Sequence, residues 1–227
     1  MDQIDPTAAV EWRPAYVGWK AWSREAMAQF ENRWHLGTAA RTCYGLALWL
    51  GSRRGDVAGL RWDQRVTSRV FIDGVERHFD GFDIVQAKNK GRTGGKRLFV
   101  PITPMLSEIL DAADRRGETV LVNAYGEPFS AKSLTGMMAH WCKLAGLPKG
   151  LTLHGLRKSL GVYLAEAEAS TRQMMDVLGH DDIDHAELYS REHSRYSWRS
   201  RGSSRAAGHA QADAWRTCWR TSWRITL

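Results

Sequence analysis

The stretch covering residues 66–100 most constrains the fold, because its residue types differ from those of the flanking segments. It is rich in β-branched and aromatic residues, which favour strands. The glycines that interrupt it are Gly74, Gly81, Gly91, Gly94 and Gly95. Glycines at such intervals are typical of turns between short strands. The segment therefore predicts a small antiparallel sheet of about three strands.

Helical patterns occupy the sequence on both sides of this sheet. Ser23 and Thr38 can each cap a helix, since their side-chain oxygens can accept from the first free N–H groups. Apolar residues follow both at helical spacing: Met27, Phe30 and Trp34, then Cys43, Leu46, Ala47 and Leu50. The second of these patterns predicts that Arg53 falls at a helix end. Thr103 can cap a helix over residues 104–115, and further helices are predicted near 130–145, 153–167, 171–178 and 183–191. These patterns predict an α+β protein, mainly helical, with one small antiparallel β-sheet.

Composition narrows the classes of protein. The 227 residues are 43% hydrophobic, enough for a substantial core. There is no apolar run long enough to span a bilayer and no visible signal peptide, so no membrane partner is expected. Cys43, Cys142 and Cys218 are far apart and odd in number, which favours the reducing cytoplasm. A zinc site formed by Cys142, His180 and His185 would lack any recognised ligand spacing.

The net charge of +7 is unevenly distributed. Residues 193–227 contain seven arginines and one aspartate, a net charge of +6, and the rest of the chain has a net charge of only +1. Overall basicity therefore says little about the folded part, and any contact with DNA must come from local clusters. The candidate DNA-contacting residues are Arg54, Lys90, Arg92 and Lys158.

Residues suited to phosphate chemistry recur along the chain. His154 and Arg157 form an H-x-x-R pattern that puts both on one face of a helix start. His180 follows Leu-Gly, and Tyr189 lies nine residues further on. Arginine holds phosphate oxygens with a permanently charged fork, and histidine adds hydrogen bonds near neutral pH. A tyrosine hydroxyl can attack phosphorus and conserve the bond energy in a covalent ester.

These motifs resemble the active site of tyrosine recombinases, the phage-integrase family. The upstream segment L-G-S-R-R-G-D-V-A-G-L-R-W at residues 50–62 resembles the family's first-arginine motif, which selects Arg53 over Arg54 and puts Asp56 at the supporting acidic position. Residues 84–101 resemble the β-hairpin whose turn carries a catalytic lysine. The resemblance covers roughly residues 22–192 and implies an integrase-type catalytic domain.

The resemblance also implies a role for each residue. Tyr189 would attack a phosphodiester of double-stranded DNA, and Arg53 and Arg157 would hold the non-bridging oxygens with help from His154 and His180. The general acid would be Lys88, which follows the strand-like residues 82–87, with Lys90 as the alternative. No metal or other cofactor is expected, because arginines replace the cation. Strand exchange would need a homotetramer on DNA, or full-length integrase relatives as partners.

The chain also departs from the family pattern. A helical DNA-binding domain usually precedes the catalytic domain, but here the first arginine motif arrives at residue 53. The expected organisation is an extended lead-in over residues 1–21, a catalytic domain over 22–192 and an atypical tail over 193–227. Besides site-specific recombination and DNA integration by a mobile element, two alternatives stay open. One is a non-catalytic DNA-binding remnant of an integrase, and the other is a relaxing enzyme like the type IB topoisomerases.

The tail itself allows several interpretations. It combines arginines with Trp215, Trp219 and Trp223, which would share one face of a helix. It could be a divergent or frameshifted C-terminus with no selected role, a segment that docks on a neighbouring protomer, or a DNA-binding or membrane-surface segment.

One local feature conflicts with the family pattern. Family members often carry glycine near position 168, where this chain has glutamate. Glu168 is therefore expected to adopt a left-handed conformation, at a cost of about 1 kcal/mol, unless the preceding helix ends differently.

Overall fold

The computed structural model describes residues 19–72, 74–86, 95 and 97–179. Three helices lead into the sheet: α1 Arg24–Arg33, α2 Ala39–Trp49 and α3 Arg54–Gly59, followed by a 3₁₀ turn at Trp62–Gln64. The strands are β1 Arg65–Ile72, β2 Val75–Val85 and β3 Arg97–Pro101. Four helices come after the sheet: α4 Pro104–Asp111, α5 Ala131–Leu144, α6 Leu153–Glu166 and α7 Thr171–Leu178. Within the described ranges the predicted fold class is confirmed.

The sheet is antiparallel throughout, in the order β1-β2-β3. In β1 and β2 the register runs from Arg65 opposite Phe82 to Ile72 opposite Val75, so only two residues, the second of them Gly74, separate the strands in the sequence. The prediction that Gly81 interrupts a strand is wrong. Gly81 lies inside β2, where an added Cβ would be 2.8 Å from the carbonyl oxygen of Val100 and would overlap the ring of Phe99. Close packing, and not a turn, therefore explains this glycine.

Helix caps are confirmed where the sequence predicts them. The side chains of Ser23, Thr38 and Thr103 each accept a hydrogen bond from a backbone N–H in the first turn of α1, α2 and α4. Helix α4 is shorter than predicted and ends at Asp111. The next residues leave the helix, and the guanidinium of Arg115 lies over the ring of Trp62, 4.7 Å from its centroid. That contact places the end of α4 beside the 3₁₀ turn.

The core includes buried residues from all the helices and from the sheet, with an aromatic cluster beside α1, α2 and α6. The rings of Trp22, Phe30 and Tyr44 pack together, with Phe30 stacked on Tyr44 at 5.2 Å between centroids. Trp22 also joins the segment before α1 to the beginning of α6. Its backbone N–H donates to Ser159 Oγ at 2.9 Å, and its indole N–H donates to the carbonyl of Thr152 at 3.0 Å. The first turns of α6, which carry His154, Arg157 and Lys158, are thereby fixed to the core.

Among the described residues, no helix is both long enough and apolar enough to cross a membrane. The predicted lead-in up to residue 18, the predicted helix near 183–191 and the tail lie outside the described ranges.

Candidate active site

Arg157 is the most deeply buried charged group of the candidate site. It projects from α6 with 2% of its surface exposed. Its guanidinium donates to two backbone carbonyls, those of Gly51 and Leu178. A buried cation needs such partners, because an unpaired charge in the interior is costly. Arg157 therefore connects the segment after α2, the helix α6 and the end of α7.

Arg53 also lies at the C-terminal end of α7. It is the N-cap residue of α3, and its guanidinium donates to Gln86 Oε1 and, at 3.3 Å, to the carbonyl of Gly179. Arg53 does fall at a helix end, as the sequence predicts, but at the start of α3 and not at the end of α2. Helix α2 ends at Trp49, and Gly51 takes a left-handed φ of 59°, so Arg53 begins a new helix.

Consecutive carbonyls bring the two arginines together. Leu178 accepts from Arg157, and Gly179 accepts from Arg53. These carbonyls lie at the C-terminus of α7, whose free C=O groups carry partial negative charge and favour cations. Gly179 adopts the left-handed conformation that ends many helices, with φ of 60°. Two guanidinium groups are thus positioned next to the residue that precedes His180.

His154 lies at the surface, three residues before Arg157 on α6. Its ring is 6.0 Å from that of Trp19, between centroids. Partial desolvation, together with the positive charges of Arg157, Lys158 and Arg53, lowers the pKa of His154 to about 4. The imidazole is therefore neutral at pH 7, and it can donate one hydrogen bond to an anion without adding charge.

Gly155 shows why the residue after His154 must be small. An added Cβ would be 2.5 Å from the carbonyl oxygen of Lys20 and 2.9 Å from the Trp22 ring. Any side chain at this position would therefore push α6 away from residues 20–22, which precede α1. The glycine within the H-x-x-R pattern keeps His154 and Arg157 at their present depth.

Two further predicted residues flank Arg53. Asp56 is buried in the first turn of α3, where a carboxylate is favoured by the helix dipole. Arg54 is exposed and donates to Thr135 Oγ1 of α5 at 2.9 Å. It therefore points away from the carbonyls that hold Arg53 and Arg157. Lys158 is half-buried on α6.

The remaining predicted residues lie outside the described ranges. They are Lys88, Lys90, Arg92, His180 and Tyr189. In the sequence, Gln86 lies two residues before Lys88, and Gly179 comes directly before His180.

Gln86 is a site residue that was not predicted from the sequence. It is 6% exposed and contacts Arg53. A signal was present in the sequence, because side chains alternate between the two faces of a strand. Phe82, Ile84 and Gln86 share one face of this strand, and all three are buried. A glutamine in phase with two core residues indicates a buried polar group with a specific partner.

Comparisons with known proteins agree with this geometry. The model of the phage integrase family matches residues 24–195. The tyrosine recombinase XerD of Lacticaseibacillus casei is 25% identical over 174 residues, which are 72% of this chain and 54% of the relative. XerD of Halalkalibacterium halodurans is 31% identical over 107 residues, covering 43% of this chain and 36% of the relative. The chain thus spans about half, or less, of the length of these relatives.

Solved structures match in fold. A lambda integrase fragment, residues 75–356, in a dimer bound to a COC′ core site aligns with a TM-score of 0.63 and 20% identity, covering 90% of this chain and 68% of that one. The lambda integrase catalytic core aligns with a TM-score of 0.53 and 23% identity, covering 72% of this chain and 96% of that one. XerA recombinase aligns with a TM-score of 0.56 and 14% identity, covering 89% and 70%.

Proposed function

We propose, since the chain belongs to the phage integrase family, that it cleaves and rejoins DNA strands in site-specific recombination or integration. The catalytic domain in this proposal is residues 22–192. The observation that carries it is the pair of guanidinium groups, from Arg53 and Arg157, held on consecutive carbonyls at the end of α7. Such a pair matches the non-bridging oxygens of one phosphodiester.

The proposed reaction is a transesterification without net change in bond energy. The hydroxyl oxygen of Tyr189 attacks phosphorus, the bond from phosphorus to the 5′ oxygen breaks, and a 3′-phosphotyrosyl ester remains. Lys88, or alternatively Lys90, gives its proton to the leaving 5′ oxygen. A second 5′ hydroxyl then attacks the ester, releases Tyr189 and rejoins the strand. The ester conserves the energy of the broken bond, so the reaction needs no nucleotide.

The described residues would stabilise the charge that develops during this attack. Arg53 and Arg157 neutralise the non-bridging oxygens, and stabilisation of developing charge by fixed groups supplies much of the rate enhancement in many enzymes. Neutral His154 adds a hydrogen bond, and His180 is proposed to add a second. A free tyrosine has a pKa of about 10, so the site must favour loss of the Tyr189 proton during the attack.

Double-stranded DNA is the proposed substrate and partner. One structural neighbour is a lambda integrase tetramer bound to a Holliday junction, which aligns with a TM-score of 0.55 and 21% identity. By analogy, we propose that this chain acts as a homotetramer on DNA or together with full-length integrase relatives. Action in the cytoplasm, on the DNA of a mobile element, is part of the same proposal.

A suicide substrate tests the proposed function. In such a duplex a nick near the cleavage site releases the fragment that carries the 5′ hydroxyl, so the covalent protein–DNA ester accumulates. We expect the wild-type chain to form this adduct and Tyr189→Phe to form none, since only the nucleophilic oxygen is lost. The variant should still fold and bind the same duplex. Binding without any adduct by the wild-type chain would instead favour a non-catalytic DNA-binding remnant.

A further inference from the structure

Gln86 occupies a buried position that joins three parts of the candidate site. It follows the last residue of β2, its Oε1 accepts a hydrogen bond from Arg53, and it is 6% exposed. It also lies against Gly179, since a Cβ added to Gly179 would overlap the Gln86 amide. Gln86 is therefore enclosed between the end of the strand, the start of α3 and the end of α7.

The choice of a neutral acceptor has a consequence for Arg53. A carboxylate at this place would orient the guanidinium but would also offset its positive charge. The amide oxygen orients the same group and leaves the charge available for a phosphate. The partner on the other side, the Gly179 carbonyl, is likewise neutral. Arg53 is thus fixed by two acceptors without forming an ion pair with either.

Fixing an arginine in advance matters for catalysis. A free arginine side chain loses substantial rotamer entropy when it is held in one geometry. When acceptors on the protein already hold the guanidinium, substrate binding does not bear that cost, and the donors face the reacting group before charge develops. Loss of one acceptor should therefore reduce the contribution of Arg53 to catalysis. The contribution of Arg157 should stay nearly the same, because its guanidinium bonds to other carbonyls.

We propose that Gln86 is a positioning residue that orients Arg53 toward the scissile phosphate. It acts through Arg53 and does not itself touch the substrate. Gln86 lies two residues before Lys88 in the sequence, so the same contact also fixes the end of β2, the strand that precedes Lys88. This inference rests on the proposed function, because the phosphate in question is the one that Tyr189 would attack.

A double-mutant cycle tests the proposal. Gln86→Met keeps the length of the side chain and removes the acceptor, and it should lower the rate of adduct formation about tenfold, typical for a hydrogen bond to a charged group. Arg53→Ala should lower the rate by about 10²–10³-fold. In the Arg53→Ala background, Gln86→Met should change the rate less than about twofold, because the group it orients is gone.

Matched controls separate positioning from general destabilisation. Gln64→Met removes another glutamine beside the sheet, one that bonds to Arg61 and Asp83 and not to Arg53. Arg54→Ala removes the neighbouring exposed arginine. Gln64 should not be coupled to Arg53, so Gln64→Met should change the rate equally with Arg53 present or replaced by alanine. Gln86 should not be coupled to Arg54, so Gln86→Met should lower the rate equally with Arg54 present or replaced by alanine. Thermal unfolding is measured for every variant. If Gln86→Met does not fold, Gln86→Asn replaces it, because asparagine is shorter by one methylene and withdraws the amide from Arg53.

The same cycle is measured on DNA affinity at low salt, in a Tyr189→Phe background that cannot form the ester. We expect Gln86→Met to weaken binding of a labelled duplex only when Arg53 is present. Equal losses in both backgrounds, for rate and for affinity, would overturn the positioning role. A wild-type chain that never forms an adduct would overturn the proposed function, and the affinity cycle would still decide the role of Gln86.

Discussion

At the scale of single residues, the two arginines of the site differ in how much of the fold depends on them. Arg157 is almost wholly buried and holds three segments through two carbonyls. Its removal would leave those carbonyls without their donors, which destabilises a protein as well as its site. Arg53 is half-buried and lies at the entrance of α3. Substitution of Arg53 is therefore the cleaner measure of what one guanidinium contributes to catalysis.

His154 gives a prediction about pH. Its pKa is about 4 in the folded chain, below the value near 6.5 expected when the chain is unfolded. Between these values the unfolded chain binds the proton and the folded chain does not. The contribution of His154 to the free energy of unfolding is thus complete above about pH 6.5 and is lost as the pH falls toward 4. We expect His154→Gln to lose less stability than wild type between pH 7 and pH 5, measured by denaturant unfolding.

An NMR titration checks the cause of that shift. The ring of His154 should titrate near pH 4, and Lys158→Gln should raise its pKa because one of the nearby positive charges is removed. Binding of a DNA duplex should also raise it, since a phosphate favours the imidazolium form. Titration of His154 at its ordinary value in the free chain would contradict the prediction.

At the scale of elements, the end of α6 carries the strain that the sequence predicted. Glu168 has a left-handed φ of 62°, within a hydrogen-bond pattern in which Glu168 donates to Ala165 and Ala169 donates to Leu164. This is the Schellman arrangement, whose left-handed position usually belongs to glycine. The expectation for Glu168 is therefore confirmed, and the helix ends where a glycine-bearing chain would end it.

We predict that Glu168→Gly stabilises the chain. The strained backbone costs about 1 kcal/mol with a side chain present, and glycine removes that cost, although it also gives the unfolded chain more freedom. The net gain in the free energy of unfolding should therefore be smaller than the strain itself, up to about 0.6 kcal/mol, measured by chemical denaturation. Glu166→Gly is the matched control inside α6, where loss of the ion pair with Arg24 and of helix propensity should destabilise. A loss of stability in Glu168→Gly would show that the left-handed backbone is not strained.

The elements also show which parts of the fold a sequence can predict. Caps at Ser23, Thr38 and Thr103 were predictable because a capping side chain bonds within its own first turn. The packing role of Gly81 was not, since it depends on Phe99 and Val100 from the neighbouring strand. The same holds for the site. Residue types and order predicted Arg53 and Arg157, but their acceptors at Gly51, Leu178 and Gly179 are backbone groups with no sequence signature.

At the scale of the whole molecule, the net positive charge is concentrated at one end of the sequence. The last 35 residues contribute +6 of the net charge of +7, so residues 1–192 are close to neutral overall. Binding of those residues to DNA must then rely on local groups such as Arg53, Arg54, Arg157 and Lys158. Affinity from so few phosphate contacts should be weak and poorly sequence-specific, about 10⁻⁴–10⁻⁶ M at physiological salt.

The tail over residues 193–227 gives a prediction about salt dependence. Each phosphate that a basic residue neutralises adds about 0.9 to the slope of log affinity against log salt concentration. If the seven tail arginines touch DNA, deletion of the tail should weaken binding and flatten that slope, while Arg53 and Arg157 keep their partners. Titration of a labelled duplex at several salt concentrations measures both quantities. Replacing Trp215, Trp219 and Trp223 by alanine keeps the charge and should leave the slope nearly unchanged. A deletion that leaves the slope intact would show that the tail does not touch DNA, and lower self-association of that deletion variant on DNA would then favour docking on a neighbouring protomer.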